Sequence, residues 1–492
     1  MAIERKILRV TDPKIAIDEM STIDTRTKET PAPSGIENPE NQAGGLFPLI
    51  EINKYKFTTD EIISMSIDET GFLPTCSVSV ISHDGIFVST SFPKDGDKLS
   101  VFIRSKKDKV KPLRADFIIT SVSSGASSDN SGERTQFFIG GILSVPGLTG
   151  EHCKAFKDMT SIDCLTSVAT ELKLGFASNE TSTADKQTWL CPFDTYEKFI
   201  SDVTTAAYKD DNSFYRTWID HNYYVNMLNV NTQFSDEFDI DKAFDELIAA
   251  SDYMNDDKVE EVEMPLLLTN HKNVRGFGGY ITGYTLINNS GTVAIDNGYR
   301  RSLQYYESHF NTDTPVDKYK KFFIEPMHTE GVKDKIILRG RAGDPESGKE
   351  QKYKWLGIQM SKPDGNAHEQ YLYAQIQNWQ NNEEIEKLML LCVLPKCNFN
   401  IYRGQRIPVI ILNDGNTQRQ KMTSDPSVQT ENEEVSYDRF LSGYYMVQGY
   451  RYSWNQNPGR FEQELYLTRR EWPMPTFVPQ DTKAGSKKNP TA

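Results

Sequence analysis

Several short arrays in the sequence have residue types that can do chemistry, and each requires a particular context. Gly343-Asp344-Pro345-Glu346-Ser347-Gly348-Lys349 fits the first seven positions of a phosphate-cradling loop. The next position is Glu350, where a Ser or Thr hydroxyl would hold magnesium. Asp344 and Glu346 put negative charge where phosphates would sit, and Pro345 removes a backbone N–H from the cradle. The segment is expected to be a polar hairpin loop between Ile336-Ile337-Leu338 and Tyr353-Lys354-Trp355. Arg275-Gly276-Phe277-Gly278-Gly279-Tyr280 is glycine-rich, but it opens no helix and lacks dinucleotide spacing, so a bulge or tight turn is expected.

The metal and nucleophile signatures are equally incomplete. Cys392 and Cys397 have no second cysteine pair at zinc spacing, and Cys392 lies in the apolar run Leu388–Leu394, as a buried thiol would. The histidines (His83, His152, His221, His271, His309, His328 and His368) are scattered, without His-Glu-x-x-His. No Gly-x-Ser-x-Gly elbow occurs. Asp239-Ile240-Asp241 and Asp256-Asp257 lack the central glycine and closing glutamate of a calcium loop and are expected on a solvated acidic face. A carboxylate pair for glycoside cleavage is a property of the fold that spacing cannot show. The sequence therefore gives no catalytic, cofactor-binding or metal-ligating residue, and no cofactor is expected.

What remains is architecture. At 492 residues the chain has length for about three domains. It is 37% apolar and carries 25 Phe and 23 Tyr, too many for an unstructured polymer. A net charge of −14 argues against a nucleic-acid wrapper, which needs a basic footprint, and against an anionic membrane surface. No apolar run of membrane-spanning length occurs, the N-terminus lacks the apolar core of a secretory signal, and six cysteines are too sparse for a disulfide scaffold.

Periodicity divides the chain. Residues 1–45 are an extended N-terminal arm, rich in Pro, Gly, Thr and Asn after a short opening. Residues 46–148 alternate with period two in six runs (LFPLIEINKYKF, EIISMSID, CSVSVIS, KLSVFIRS, ADFIITSV, TQFFIGGIL), the pattern of a small antiparallel barrel. Residues 149–262 form an α+β domain. One of its helices is capped at Thr160 or Ser161 and ends near Gly175, and a second starts near Asp194 or Thr195. Its two strands are joined at His221-Asn222, and an acidic linker, DDKVEEVE, closes it. Residues 263–300 and 388–472 form a second barrel, 301–387 an insertion, and 473–492 a C-terminal tail.

The second barrel is assigned by comparing the chain with itself. Pro48–Asn53 recurs as Pro265–Asn270 at an offset of 217, and Ile67–Gly71 as Ile287–Gly291 at 220. Gly96–Ile103 recurs as Gly404–Ile411 at 308, and Ala115–Ile119 as Gly443–Val447 at 328, an offset the closing strands around Phe137 and Leu465 keep. The order is preserved and the offset only grows, as a duplicated barrel with two insertions requires. If three such chains close a ring, six like units form a pseudo-sixfold annulus that can meet a hexamer on one side and a trimer on the other.

Three runs carry a resemblance to a known family. They are KLSVFI…ADFIITSV with its copy RIPVII…GYYMVQGYRYSW ending in FEQELYLTRRE, the segment KQTWLCPFDTYEKFISDVTTAAYKDDNSFYRTWIDHNYYVNMLNVNTQF, and GYITGYTLINNSGTVAIDNGYRR. Together, over roughly residues 46–472, the chain resembles the baseplate central hub protein of contractile-tailed phages. It is similar also to the hub part of type VI secretion spike proteins and to late control tail proteins. The resemblance implies a β-rich α+β fold with two tail-tube-like barrels and a homotrimer adapting the hexameric tail tube to a trimeric central spike. It further implies a channel for DNA as transiting cargo and contacts with tube-initiator, wedge and tape measure proteins. The implied place is the virion tail baseplate, assembled in the host cytoplasm, with no enzymatic activity. The sequence departs from shorter members by its arm and its 301–387 insertion, and no β-prism pattern follows the last strand, so the spike is expected on a separate polypeptide. A peptidoglycan-degrading tail enzyme and a receptor- or glycan-binding tail protein are the alternatives.

Overall fold

Alternating apolar and polar residues put every second side chain on one face of a strand, and pairing such strands buries that face. A computed structural model of the chain describes residues 7–14, 46–82, 86–94, 96–105, 113–129, 132–211, 213–234, 266–268, 281–288, 301–307, 319–324, 335–336, 354–359, 368, 370–386, 388–395, 397–398, 401–411, 441–457, 459–469 and 472–473. The Gly343–Glu350 and Arg275–Tyr280 segments, the Asp239–Asp241 and Asp256-Asp257 acids, and His83, His271, His309 and His328 lie outside the described residues. The structure is mostly β-sheet with few helices.

β1 (Leu8–Thr11) lies within the span assigned to the arm. The first repeat contributes β2 (Leu46–Ile52), β3 (Tyr55–Phe57), β4 (Ile62–Asp68), β5 (Thr75–Ser82), the short helix α1 (Ile86–Thr90), β6 (Lys98–Ser105), β7 (Leu113–Asp129) and β8 (Gly132–Leu143). The run LFPLIEINKYKF is two strands, because Asn53 and Lys54 both take positive φ (48° and 70°), the geometry of a two-residue hairpin turn. The middle region contributes β9 (Glu151–Met159), α2 (Ser161–Glu171), β10 (Gly175–Ser178), β11 (Gln187–Thr195), α3 (Tyr196–Ala206), β12 (Tyr215–Ile219) and β13 (Tyr224–Asn229). Beyond it come β14 (Leu266–Leu268), β15 (Gly283–Asn288), β16 (Arg301–Glu307), β17 (Tyr319–Ile324), β18 (Lys335–Ile336), β19 (Lys354–Gln359) and α4 (Tyr371–Ile385). β20 (Leu388–Leu394), β21 (Arg406–Ile411), β22 (Gly443–Asn455), β23 (Arg460–Thr468) and β24 (Trp472–Pro473) follow.

The strand order shows the repeat. The path β2-β6-β7-β8-β5-β4 recurs as β14-β21-β22-β23-β20-β15. Registers recur with it: Lys98 pairs with Ile118 and Arg406 with Met446, which are the offsets 308 and 328 found in the sequence. A β-bulge between Ile119 and Ser121 has its copy between Val447 and Gly449, again 328 residues on. Gly96 and Gly404 both turn at positive φ (86° and 83°). Their N–H groups donate to Ile119 O at 3.2 Å and Val447 O at 2.8 Å. Two features differ. β2 runs antiparallel to β6, whereas β14 runs parallel to β21. The sequence match also placed Ile67 on Ile287, but Ile67 pairs with buried Cys76, and the residue pairing with buried Leu390 is Leu286. The match is thus one residue out of phase, and a one-residue slip reverses every side chain.

Both repeats belong to one 13-stranded sheet, joined where the far half of β22 pairs antiparallel with β4, Arg451 opposite Asp68 through Asn455 opposite Ser64. Tyr452, Trp454, Ile67 and Met65 on its inner face are at most 2% exposed. In the middle region Thr160 caps α2 and Thr195 caps α3, each hydroxyl accepting a backbone N–H three residues on. α2 leaves its helical path at Lys173, the positive-φ residue (59°), rather than at Gly175. Gly175 instead opens β10 where a Cβ would lie 2.5 Å from the Tyr224 ring. β1 pairs with β10, so Leu8–Thr11 is a strand of the middle sheet, ordered β1-β10-β13-β12.

α4 falls in the span read as an insertion, yet it covers the free edge of β12. Asn378 Oδ1 accepts the Tyr215 N–H at 2.9 Å, and Asn382 Nδ2 donates to Tyr215 O at 2.8 Å, in place of the missing neighbouring strand. Asn378 Nδ2 also reaches the carbonyls of Thr205 and Ala207 that end α3, both at 2.8 Å. Asn378→Leu is expected to leave these buried groups unpaired and cost about 1–3 kcal/mol. Urea unfolding checks the total, and amide exchange at Tyr215 checks the location.

Candidate functional site

The structure brings the three parts of the chain together at one buried polar junction. Its elements are the turn after β4, the β12–β13 turn, β22, and the turn before β21. Glu69 follows β4 and is 3% exposed, and its N–H donates to Tyr450 O at 2.8 Å. One carboxylate oxygen takes the Tyr450 hydroxyl at 2.7 Å, and the other pairs with His221 Nδ1. His221, Glu69 and Tyr450 thus link the middle region, the first repeat and the second.

Local chemistry holds each partner in place. The β12–β13 turn is closed by Asp220, whose carboxylate accepts the N–H groups of Asn222 (2.9 Å) and Tyr224 (3.0 Å) and the side chain of Asn226 (3.0 Å). Burial raises the Asp220 carboxyl above its ordinary range, with neighbouring His221 opposing the shift. Burial first, and the Glu69 carboxylate second, push the Tyr450 phenol well above its usual value, so it stays a donor at neutral pH. Arg403 donates to Gly71 O and lies 5.0 Å over the Trp218 ring. Burial there, with Arg216 nearby, brings its guanidinium down to about 10. Gly449 is needed at the crossing, because a Cβ would stand 2.9 Å from both Glu69 O and the Thr70 Cα.

Chemically the junction is a clamp. Its acids and its phenol are committed to one another, and Glu69 and Tyr450 are buried. In the sequence Glu69 stands only within the Ile67–Gly71 repeat match, and His221 only among seven scattered histidines and at the join of two strands. Separations of 152 and 381 residues hide the pairing, and no local signal could have found it.

Other sequence-named residues stay apart. Cys392 is buried and Cys397 half-buried, both are free thiols, and burial raises both well above the ordinary thiol range. His152 stacks on the Tyr196 ring at 3.7 Å. Among the described residues no group of three or more His, Cys, Asp or Glu could hold a metal, and no helix is long and apolar enough to cross a membrane.

His368 is buried at the start of α4, its Nε2–H donating to Ala206 O at 2.9 Å. Burial lowers its pKa below the ordinary 6.5, so the neutral ring is the folded form. A lowered folded pKa gives stability that is present above the unfolded value and lost as pH falls through the folded one. Acidification below about pH 6.5 is therefore expected to loosen α4, and His368→Gln to flatten that loss. Urea midpoints for both proteins between pH 5 and 7.5 read the difference.

A groove of about 420 Å³ runs over the outer face of the sheet across the repeat junction. Ser64 and Ser66 of β4, Ser77 and Ser79 of β5, Ser121 of β7 and Ser453 of β22 line it, a hydroxyl surface without formal charge.

No family model matches the sequence, and no curated protein matches it. Solved structures do match. The chain is similar to phage tail and type VI secretion proteins. One is the tail protein from Neisseria meningitidis MC58, at 11% identity and TM-score 0.47, covering 86% of this chain and 96% of that one. Another is the 43 kDa tail protein of prophage MuSo2 from Shewanella oneidensis, at 8% identity and TM-score 0.48, covering 86% and 98%. A third is a component of the E. coli type VI secretion system, at 8% identity and TM-score 0.38, covering 85% and 76%.

Proposed function

We propose that the chain is the structural central hub of a contractile phage-tail baseplate, a homotrimer that adapts a hexameric tail tube to a trimeric central spike. The observation that carries this reading is the repeated strand order, with its matching bulge and turn, joined into one sheet. Residues 46–148 act as the first tube-like barrel, and 263–300 with 388–472 as the second. Two like units per chain are what a threefold ring needs to present six equivalent faces. The middle region, 149–262, braces the two through the Glu69–His221–Tyr450 clamp, a connection suited to bearing load rather than to turnover.

In this reading the hydroxyl-lined groove faces the channel. Ser64, Ser66, Ser121 and Ser453 offer no cation to hold phosphates, and the net charge of −14 repels them, so DNA passes as cargo without sticking. Its partners are tail tube or tube-initiator proteins on one side and a central spike on the other, with wedge and tape measure proteins around them, in a virion assembled in the host cytoplasm. This reading assigns the chain no catalytic, cofactor-binding or metal-ligating residue.

Light scattering on the purified protein, alone and with its spike, tests the assembly. The expected mass is three times the 56.0 kDa of the chain, and a persistent monomer at high concentration with the spike present sinks the reading. Turnover of peptidoglycan above a heat-treated control would favour the enzyme alternative, and micromolar binding on a glycan array the receptor-binding one.

A further inference from the structure

Each chain has two repeats but one middle region, and that region covers the same turn in only one of them. In the second repeat the turn that opens β21 is packed beneath it. A Cβ added at Gly404 would stand 3.0 Å from both Trp218 and Leu228 and 3.2 Å from Ile7. Met446, opposite Arg406, is 2% exposed in the same cluster, and no residue from Ile401 to Ile411 is exposed. The first repeat has the same turn without the cover. Gly96 takes the φ of Gly404 and makes the same backbone hydrogen bond. Yet among the described residues, its chain neighbours aside, nothing lies within 4 Å of where its Cβ would stand. Phe92 is 43% exposed, and Lys94, Gly96 and Lys98 are exposed. Ile118, opposite Lys98, is only half-buried where Met446 is buried. The bare turn is nonetheless held in shape. The Asp97 carboxylate accepts the Lys94 N–H and the Asn53 side-chain amide, both at 2.7 Å, which fastens the turn to the β2–β3 turn beside Lys54.

We infer that the Phe92–Lys98 turn is a docking site for a different protein, one that presents an aromatic or branched apolar side chain within a rim of carboxylates. This deepens the hub reading and rests on it for its setting. The apolar centre is read from the second repeat, where Trp218, Leu228 and Ile7 are what seats against the same glycine turn. Those side chains are in use on Gly404 in every copy, so the occupant is not the same surface of another copy. The acidic rim is read from the first repeat. Lys54 and Lys94 flank its turn, are exposed, and make no ion pair among the described residues, while Asp97 is committed to its own hydrogen bonds. In the second repeat the nearby cation is already placed, since Arg403 lies over the Trp218 ring and donates to Gly71 O. A chain of net charge −14 repels an acidic partner over most of its surface, so two lysines at one turn fix where that partner lands. Duplex DNA would meet the lysines but has no use for Phe92 and Ile118. The turn is formed before the partner arrives, so little ordering cost opposes binding. Because its copy is covered in every chain, a ring of three chains offers three such turns rather than six.

Purified tails assembled with the full-length chain, Phe92 exchanged for the photo-reactive residue benzoylphenylalanine, test the site by irradiation, digestion and mass spectrometry. The expected product joins this position to a peptide of a different protein in which Asp or Glu flanks an apolar residue. Adding Lys54→Glu and Lys94→Glu is expected to lower its yield about tenfold. Lys157→Glu with Lys186→Glu, at exposed lysines of the middle region, leaves the yield unchanged. Circular dichroism of each purified variant checks that the fold is kept. A product confined to copies of this chain, a product with DNA, or none above the unirradiated control overturns the docking site, and so does a yield indifferent to Lys54→Glu and Lys94→Glu. In all of these cases the hub reading stands. Absence of the wild-type chain from purified tails overturns the hub reading, and the docking site with it.

Discussion

Glu69→Ala is expected to lower the unfolding free energy by about 3–5 kcal/mol, because two buried groups each lose their partner at about 1–3 kcal/mol apiece. The carboxylate accepts from the Tyr450 hydroxyl and pairs with His221, and in its absence both are left buried beside apolar side chains. Tyr450→Phe removes one donor and leaves the His221 pairing in place, so about 1–3 kcal/mol is expected from it. The pair should therefore be non-additive: the Glu69→Ala/Tyr450→Phe double variant loses less than the sum, because Glu69→Ala has already cost Tyr450 its acceptor. Urea unfolding of the four proteins completes the cycle. A Glu69→Ala protein within about 1 kcal/mol of wild type would mean that the three parts are held by packing alone.

The consequence for the assembly is separate from the consequence for stability. Both repeats remain paired through β22 and β4 when Glu69 is lost, but the middle region is freed from one of its anchors. Ile219 N to Phe72 O at 2.9 Å and Asp116 N to the Tyr223 hydroxyl at 3.3 Å remain. Hydrogen exchange is expected to rise first in the β12–β13 turn rather than in the sheet.

The parts of this fold legible in the sequence are those set by local pattern. Lys98 and Arg406 open matching strands because each stands two residues after a glycine at positive φ, and such a turn needs glycine wherever it occurs. Thr160 and Thr195 mark helix starts because a hydroxyl satisfies an otherwise unpaired N–H wherever a helix begins. Phase was harder. Ile67 and Ile287 look alike, and only pairing with β5 and β20 shows that Leu286 takes the inner face. Asn378 and Asn382 were indistinguishable from surface amides until the edge of β12 supplied them with a strand to mimic. The junction was invisible for the same reason, since a buried Glu–His–Tyr contact has no periodicity and its members come from three distant segments.

The repeat also predicts where the two copies have diverged in strength. Trp454 fills the inner face of the occupied β22–β4 contact at 2% exposure, opposite Met65. The equivalent position in β7 is Ala126, 328 residues earlier. Trp454→Ala therefore writes the first repeat's residue into the β22–β4 junction. A loss of about 3–5 kcal/mol is expected, from the apolar surface given up and the cavity left against Met65 and Phe461. Met65→Tyr in the same chain would copy the second half of the exchange, since Tyr284 stands where Met65 does. The larger side chain across the pair should fill part of the cavity and recover part of the stability lost by Trp454→Ala, and it should cost stability when made alone by overpacking a filled face. Calorimetry on the three variants reads both signs. Failure of the double variant to exceed Trp454→Ala would mean that the β22–β4 junction does not accept a large-for-small exchange between its strands.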